Sequence, residues 1–216
     1  MKLCSAIPRL FSKANFIMLR TLTQFCLLSS ALRANAQTVT DSFSLLNKQR
    51  IATNKTGMTV LAGWGALNVV AGTSGYFAAK DKEWQSFHQM NALWGVVNMG
   101  IAGAGYFAAK KEATRTYTAG TSLARYESNK RLFLINAGLD AVYMGSGVYL
   151  LERGRQSTKH PARLRGYGKS ILLQGAGLLA FDAIMYGCHQ HSNKRWYRLL
   201  SGLQLSSNGV GMHYGF

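Results

Sequence analysis

The chain writes one apolar segment twice. Trp64-Gly65-Ala66-Leu67-Asn68 leads to Gly75-Tyr76-Phe77-Ala78-Ala79-Lys80; thirty residues later Trp94-Gly95-Val96-Val97-Asn98 leads to Gly105-Tyr106-Phe107-Ala108-Ala109-Lys110. No charge interrupts either copy, over 23 residues from Gly57 to Ala79 and 20 from Met90 to Ala109. At a rise of about 1.5 Å per residue, each is long enough to cross a hydrocarbon core of roughly 30 Å. The pattern predicts helices in a bilayer.

Two further runs complete the set: Leu132 to Leu151, with Asp140 its only charge, and Ser170 to Cys188, with Asp182 its only charge. The links between runs, Lys80 to Gln89, Lys111 to Arg131 and Glu152 to Lys169, hold most of the internal charge. A net charge of +17 would suit a nucleic-acid binder if the cations formed one stripe. They lie instead between apolar runs, as in membrane proteins, and nucleic acid is not an expected partner. The short first link, with Trp84 and Phe87 among its charges, makes runs one and two antiparallel neighbours. Lys111 to Arg131, rich in Thr, Ser and Ala, shows no core pattern.

The first 36 residues read as a signal peptide. Lys2, Arg9, Lys13 and Arg20 precede the short apolar run Leu22 to Leu32, and Ala34-Asn35-Ala36 supplies a cleavage signal. Cleavage there would remove five basic and no acidic residues, 17 − 5 = +12. It would also remove Cys4 and Cys26, leaving Cys188 without a disulfide partner and without the thiolates of a structural metal site. Residues 37–56 then form a polar, amphipathic N-tail, capped at Asp41 or Ser42 and lying at the interface. Residues 189–216 form a C-terminal tail whose last part alternates with period two after Ser206-Ser207-Asn208-Gly209, the mark of a short strand or hairpin. The long runs lack dyad alternation, so no barrel is expected.

Each apolar run carries one internal polar residue: Asn68, Asn98, Asp140, Asp182. Gly75, Gly105 and Gly147 lie seven positions beyond the first three. Reversing alternate runs places all four polar residues within roughly 8 Å along the membrane normal, so four helices could present one polar layer. A lone carboxylate at mid-bilayer costs several kcal/mol, so it faces the bundle and finds a partner. Two uses fit such a layer: interhelical glue that fixes register, or a proton- or cation-linked site. His88 and Asn91 flank the second run, and Tyr143, Gln174 and Tyr186 could line the same interior. Ala71, Gly75 and Ala79, then Gly105 and Ala109, follow the small-xxx-small spacing of close helix contacts.

Catalytic signatures are missing. There is no Gly-x-Ser-x-Gly, no His-Glu-x-x-His and no P-loop, and Gly166-Tyr167-Gly168-Lys169-Ser170 lacks the spacing of one. His189 and His191, two apart, point away from each other on a helix. Neither an enzyme, a cofactor nor a metal is expected.

Asn54-Lys55-Thr56-Gly57-Met58, Phe87-His88-Gln89-Met90-Asn91, Asn136-Ala137-Gly138-Leu139-Asp140 and Gly166-Tyr167-Gly168-Lys169-Ser170 carry a resemblance. From about Phe43 to Tyr186 the chain resembles a family of small bacterial membrane proteins known only as a domain of unknown function. The resemblance implies four spans and assigns no activity.

The expected fold is therefore all-α: a membrane four-helix bundle of two helical hairpins with an internal repeat, spanning 57–188 as 57–79, 90–109, 132–151 and 170–188. The expected setting is a bacterial membrane, the inner one, with the lipid bilayer as partner. Charge bias faintly favours both tails inside, whereas a cleaved signal puts the mature N-tail outside and carries more weight. The expected role is structural, in assembly or interaction. The alternative is a small proton- or cation-coupled transporter or channel, which four spans could build only as a homo-oligomer.

Overall fold

Helix boundaries fall where the sequence supplies caps, with one exception at the N-terminal side. The computed structural model describes residues 7–201, 203–206 and 209–212. Its elements are α1 (Ile7–Ala78), α2 (Lys82–Glu112), α3 (Ala119–Gln156), α4 (Pro161–His191), α5 (Asn193–Ser201), β1 (Leu203–Ser206) and β2 (Gly209–Met212). Asp81 caps α2, its carboxylate accepting from the Glu83 and Trp84 amides at 2.7 and 3.2 Å. Thr118 caps α3 and Pro161 occupies the first turn of α4, where a missing amide hydrogen costs nothing. Gln85 donates to the Ala79 carbonyl at 3.0 Å, closing the end of α1.

The exception is α1, a single helix of 72 residues. Asp41 and Ser42 cap nothing, because the chain is already helical there. The N-tail continues into the first apolar run without a break in the helix. Phe43 and Leu46 pack with Tyr126 and Trp196 into a small apolar core at this end of the bundle. Trp196 stacks on Tyr126 at 4.9 Å between ring centroids. The link Lys111 to Arg131 also differs from expectation: from Ala119 it is the start of α3, and Ser122 and Tyr126 are fully buried.

The backbone of the C-terminal tail forms the expected hairpin, Leu203 pairing with Met212 and Ser206 with Gly209. Lys2 and Cys4 of the signal-like segment and the closing Tyr214 and Phe216 lie outside the described residues.

Among the described residues, α2, α3 and the helical stretch from Pro161 are long and apolar enough to cross a membrane. The run Gly57 to Ala79 is not among them, because glycines, threonines and Asn68 dilute its hydropathy. Helices α1 and α2 form one antiparallel hairpin, α3 and α4 another, and the hairpins meet chiefly through α2 and α4. Each hairpin closes on a pair of glycines. A Cβ on Gly65 would lie 2.7 Å from the Gly95 carbonyl oxygen, and one on Gly95 2.6 Å from that of Gly65. Gly147 and Gly168 stand in the same relation, at 2.9 and 2.8 Å. No side chain fits at either crossing.

Burial is inverted relative to a water-soluble bundle. Phe77 is 81% and Val70 64% exposed, with Leu67, Val96 and Val142 similarly placed. Asn68, Asn91, Asn98, Asp140, Gln174 and Asp182 are buried. Polar groups inside and aliphatic groups outside is the arrangement a hydrocarbon surround favours.

Candidate functional site

Gln174, on the face of α4 turned towards α1 and α2, is 1% exposed and uses every hydrogen-bonding position of its amide. Its Nε2 donates to Asn68 Oδ1 at 2.7 Å and to Asn91 Oδ1 at 2.8 Å. Its Oε1 accepts from Trp64 Nε1 at 3.1 Å and from Asn98 Nδ2 at 3.3 Å. Ser170, one turn earlier in α4, donates to Asn91 Oδ1 at 2.8 Å, and Asn68 Nδ2 returns to the Trp64 carbonyl at 2.8 Å. Three helices are thereby joined at one side chain.

The two aspartates form a separate station. Asp182 is eight residues beyond Gln174 in α4, about 12 Å by helical rise. The Asp140 and Asp182 carboxyl groups face each other closely enough to interact. Carboxylates hold acceptors only, so a hydrogen bond between them forms only where one carries a proton. Asp140 Oδ2 is buried and has no partner, and the same is true of Asn98 Oδ1. The Trp94 ring meets that of Tyr143 at 5.3 Å. In antiparallel α2 and α3 that contact places Asn98, one turn on from Trp94, level with Asp140, about one turn before Tyr143. Two orphaned acceptors thus share a height in the bundle.

Of the expected polar layer, Asn68 and Asn98 meet at Gln174 and Asp140 meets Asp182, as two stations rather than one ring. Asn91 and Gln174, expected as flanking residues, are central to the first station. Tyr143 is half-exposed against Trp94. His88 packs its ring against Gly75, Trp84 and Phe87, away from the polar interior. Tyr186 lies near Tyr126, at the far end of α4.

A third polar group was hidden from sequence reasoning. Where α1, the end of α2, the start of α3 and the end of α4 converge, Arg50 is buried and bridges Glu112 at 2.9 Å. Asn47 donates to Ser122. His189 Nε2 meets Asn54 Oδ1 at 2.8 Å, and the His189 carbonyl accepts from the Tyr126 hydroxyl at 2.8 Å. The signal was present: Phe43, Asn47, Arg50 and Asn54 recur on one helical face, but hydropathy ranks three of them as surface.

At the opposite end, outside the apolar run 90–109, Glu83 ties the hairpins together. It meets Arg165 at 2.7 Å and Lys169 at 2.6 Å. Burial pushes its carboxyl upward, but the hydrogen bonds and charges of Lys169 and Arg165 outweigh that and hold it below the usual carboxylate range. A Cβ on Gly166 would strike the Glu83 carbonyl, so the hairpins touch backbone to backbone beside this clamp.

Among the described residues no group of three or more His, Cys, Asp or Glu could hold a metal ion. The family described as a family of unknown function (DUF6992) matches residues 60–183, more than half of the 216-residue chain, and its bounds take in both polar stations. No curated protein and no solved structure matches the chain.

Proposed function

We propose, for a chain that belongs to DUF6992, a family of unknown function, the role of an integral membrane scaffold of four spans, acting in assembly or interaction rather than catalysis. The observation that carries this reading is the saturation of Gln174: an amide with no free position is a lock, not a ligand site. Around it the bundle carries its apolar side chains outward, which suits a lipid surround. The run 57–79 is weaker in hydropathy than the others, but it packs along α2 from Gly65 to Gly75. If α2 crosses, α1 crosses beside it. Helical spans favour a cytoplasmic-type membrane over a barrel-bearing outer one, and cleavage after Ala36 would leave α1 starting about 30 Å, by helical rise, beyond the first apolar run.

The internal repeat then has a structural meaning. Gly75 receives His88 and Gly105 receives Met58, and each member of the first pair is thirty positions from its counterpart in the second. An axis in the membrane plane, through the Gly65–Gly95 crossing, would exchange the two copies.

A second reading rests on one specific observation, the unpartnered Asp140 Oδ2 beside a carboxyl pair. Intramembrane carboxyls that share a proton suit a proton- or cation-linked transporter or channel. Reconstitution separates the readings. Vesicles containing the purified chain and a trapped pH dye should show no more proton flux than empty ones, and Asp140→Asn should change only thermal stability or oligomeric state. Flux that the wild type supports and a normally folded Asp140→Asn abolishes would replace the scaffold reading with the transport one.

A further inference from the structure

We propose that the cleft between α1 and the α2–α3 loop binds a phosphate-bearing anion, at the level where the apolar runs end. The inference rests on the membrane reading but not on either polar station. The cleft has a volume of about 430 Å³ and is lined by Lys48 and Lys55 of α1 and by Arg115 and Tyr117 of the loop. Ile51 forms part of its apolar floor, and Asp41 is its only carboxylate.

Three observations point to an anion. First, three cations line one cleft beside a single carboxylate and none of them is held in an ion pair among the described residues, whereas six others are. Arg50 and Arg125 share Glu112, Arg165 and Lys169 share Glu83, and Lys130 and Arg155 each have a glutamate one turn away. Lys48, Lys55 and Arg115 have no ion pair among the described residues. Second, Tyr117 lines the cleft, and its hydroxyl is buried without a hydrogen-bond partner. A buried hydroxyl left unpaired is costly, and a turn of the ring towards the cleft would let an anionic oxygen satisfy it. Third, the depth is right. Lys55 precedes the apolar run at Gly57 by two residues, and the loop begins four residues after the run that ends at Ala109. Side chains at those positions reach the headgroup layer, where lipid phosphates lie.

The Lys55 ammonium also sits over the Tyr106 ring, 5.4 Å from its centroid. That contact holds the side chain at the rim of the cleft without neutralising it. Two guests share this chemistry: the headgroup of an anionic phospholipid, and a free phosphate ester from solution.

The test uses the full chain in detergent, titrated with phosphatidylglycerol or with phosphatidylcholine and read by native mass spectrometry. Phosphatidylglycerol should bind better, and the triple variant Lys48→Gln/Lys55→Gln/Arg115→Gln should weaken it by about tenfold to a hundredfold. An equal charge loss at the opposite end, Arg153→Gln/Lys159→Gln/Arg163→Gln, should leave it unchanged. Tyr117→Phe should weaken binding less than the triple variant does. Should the triple variant misfold by circular dichroism, Arg115→Gln alone, on the exposed loop, carries the test. Competition by inorganic phosphate would identify a soluble phosphate as the guest, and its failure to compete a lipid. Equal binding of the two lipids, or equal loss in both triple variants, would overturn the proposal.

Discussion

The two polar stations of the bundle are anchored on α4 at Gln174 and Asp182, about 12 Å apart by helical rise, and they end in opposite ways. The Gln174 station is built from amides, an indole and a hydroxyl, groups that together bring as many donors as acceptors. It closes around Gln174 and leaves Asn98 Oδ1 unpaired at its edge. The Asp140–Asp182 station is built from carboxyl groups, which bring four oxygens and no donor unless protonated, and it leaves an oxygen bare. The comparison teaches that polarity inside a membrane bundle is of two kinds. A balanced set of donors and acceptors costs little and holds helices in register; an unbalanced set retains a need that water, a proton or a cation must meet.

Breaking the balanced station should have the largest effect. Gln174→Leu strands the Asn68 carbonyl, the Asn98 amide and the Trp64 indole at once, and leaves the Asn91 carbonyl to Ser170 alone. A loss of about 3 kcal/mol in unfolding from detergent is expected, since each buried orphan costs about 1–3 kcal/mol but membrane hydrogen bonds average less. A variant as stable as wild type would mean the station is decoration. Next comes the backbone crossing that brings the amides within reach. Gly95→Leu places a side chain against the Gly65 carbonyl and the Val69 amide, and should cost about 2 kcal/mol by overpacking. Gly100→Leu, in the same helix with open space before it, should cost little, and the pair of thermal melts checks this.

The Glu83 clamp outside the apolar runs sharpens the comparison by adding a station that is charged and open to water. Its carboxyl is held below the usual range in the fold, so the folded state binds that proton less readily than the unfolded chain does. Its contribution is complete above the ordinary carboxylate range and is lost as pH falls through the depressed value. Stability should therefore decline on acidification by about 1 kcal/mol, with salt reducing the effect. Glu83→Gln should remove that part of the pH dependence. An acid limb unchanged in Glu83→Gln would assign it to other groups.

How much of this was legible beforehand depended on what each residue costs in isolation. Asp140 and Asp182 stood out because a charge within an apolar run demands an explanation, and Asn68 and Asn98 because the repeat showed them twice. Gln174 did not stand out as a hub. Its role depends on the parallel packing of α2 on α4, a contact between segments that no link joins directly, and on Trp64 serving as a donor when a tryptophan in a membrane protein more often marks an interface. Ser122 and Tyr126 were hidden in a link with an unremarkable composition, and Arg50 in a tail that read as surface. Periodicity reports which face is apolar; it is silent about a face whose polar groups are buried because they are paired with one another.

The smallest expected loss of stability distinguishes the stations most sharply. Asp140→Asn keeps the shape of the side chain, and its amide can donate to Asp182 without any shared proton, so unfolding should shift by less than about 1 kcal/mol. What should change is the proton. In the wild type, two carboxyl groups that share a proton should show the carbonyl stretch of a buried carboxylic acid in infrared spectra. In Asp140→Asn that band should vanish as Asp182 ionises against the new amide donor. A band that persists would mean Asp182 holds the proton by itself, through burial rather than through its neighbour. The unpartnered Oδ2 would then be an incidental gap beside a neutral acid, and the contrast with the Gln174 station would reduce to one of packing.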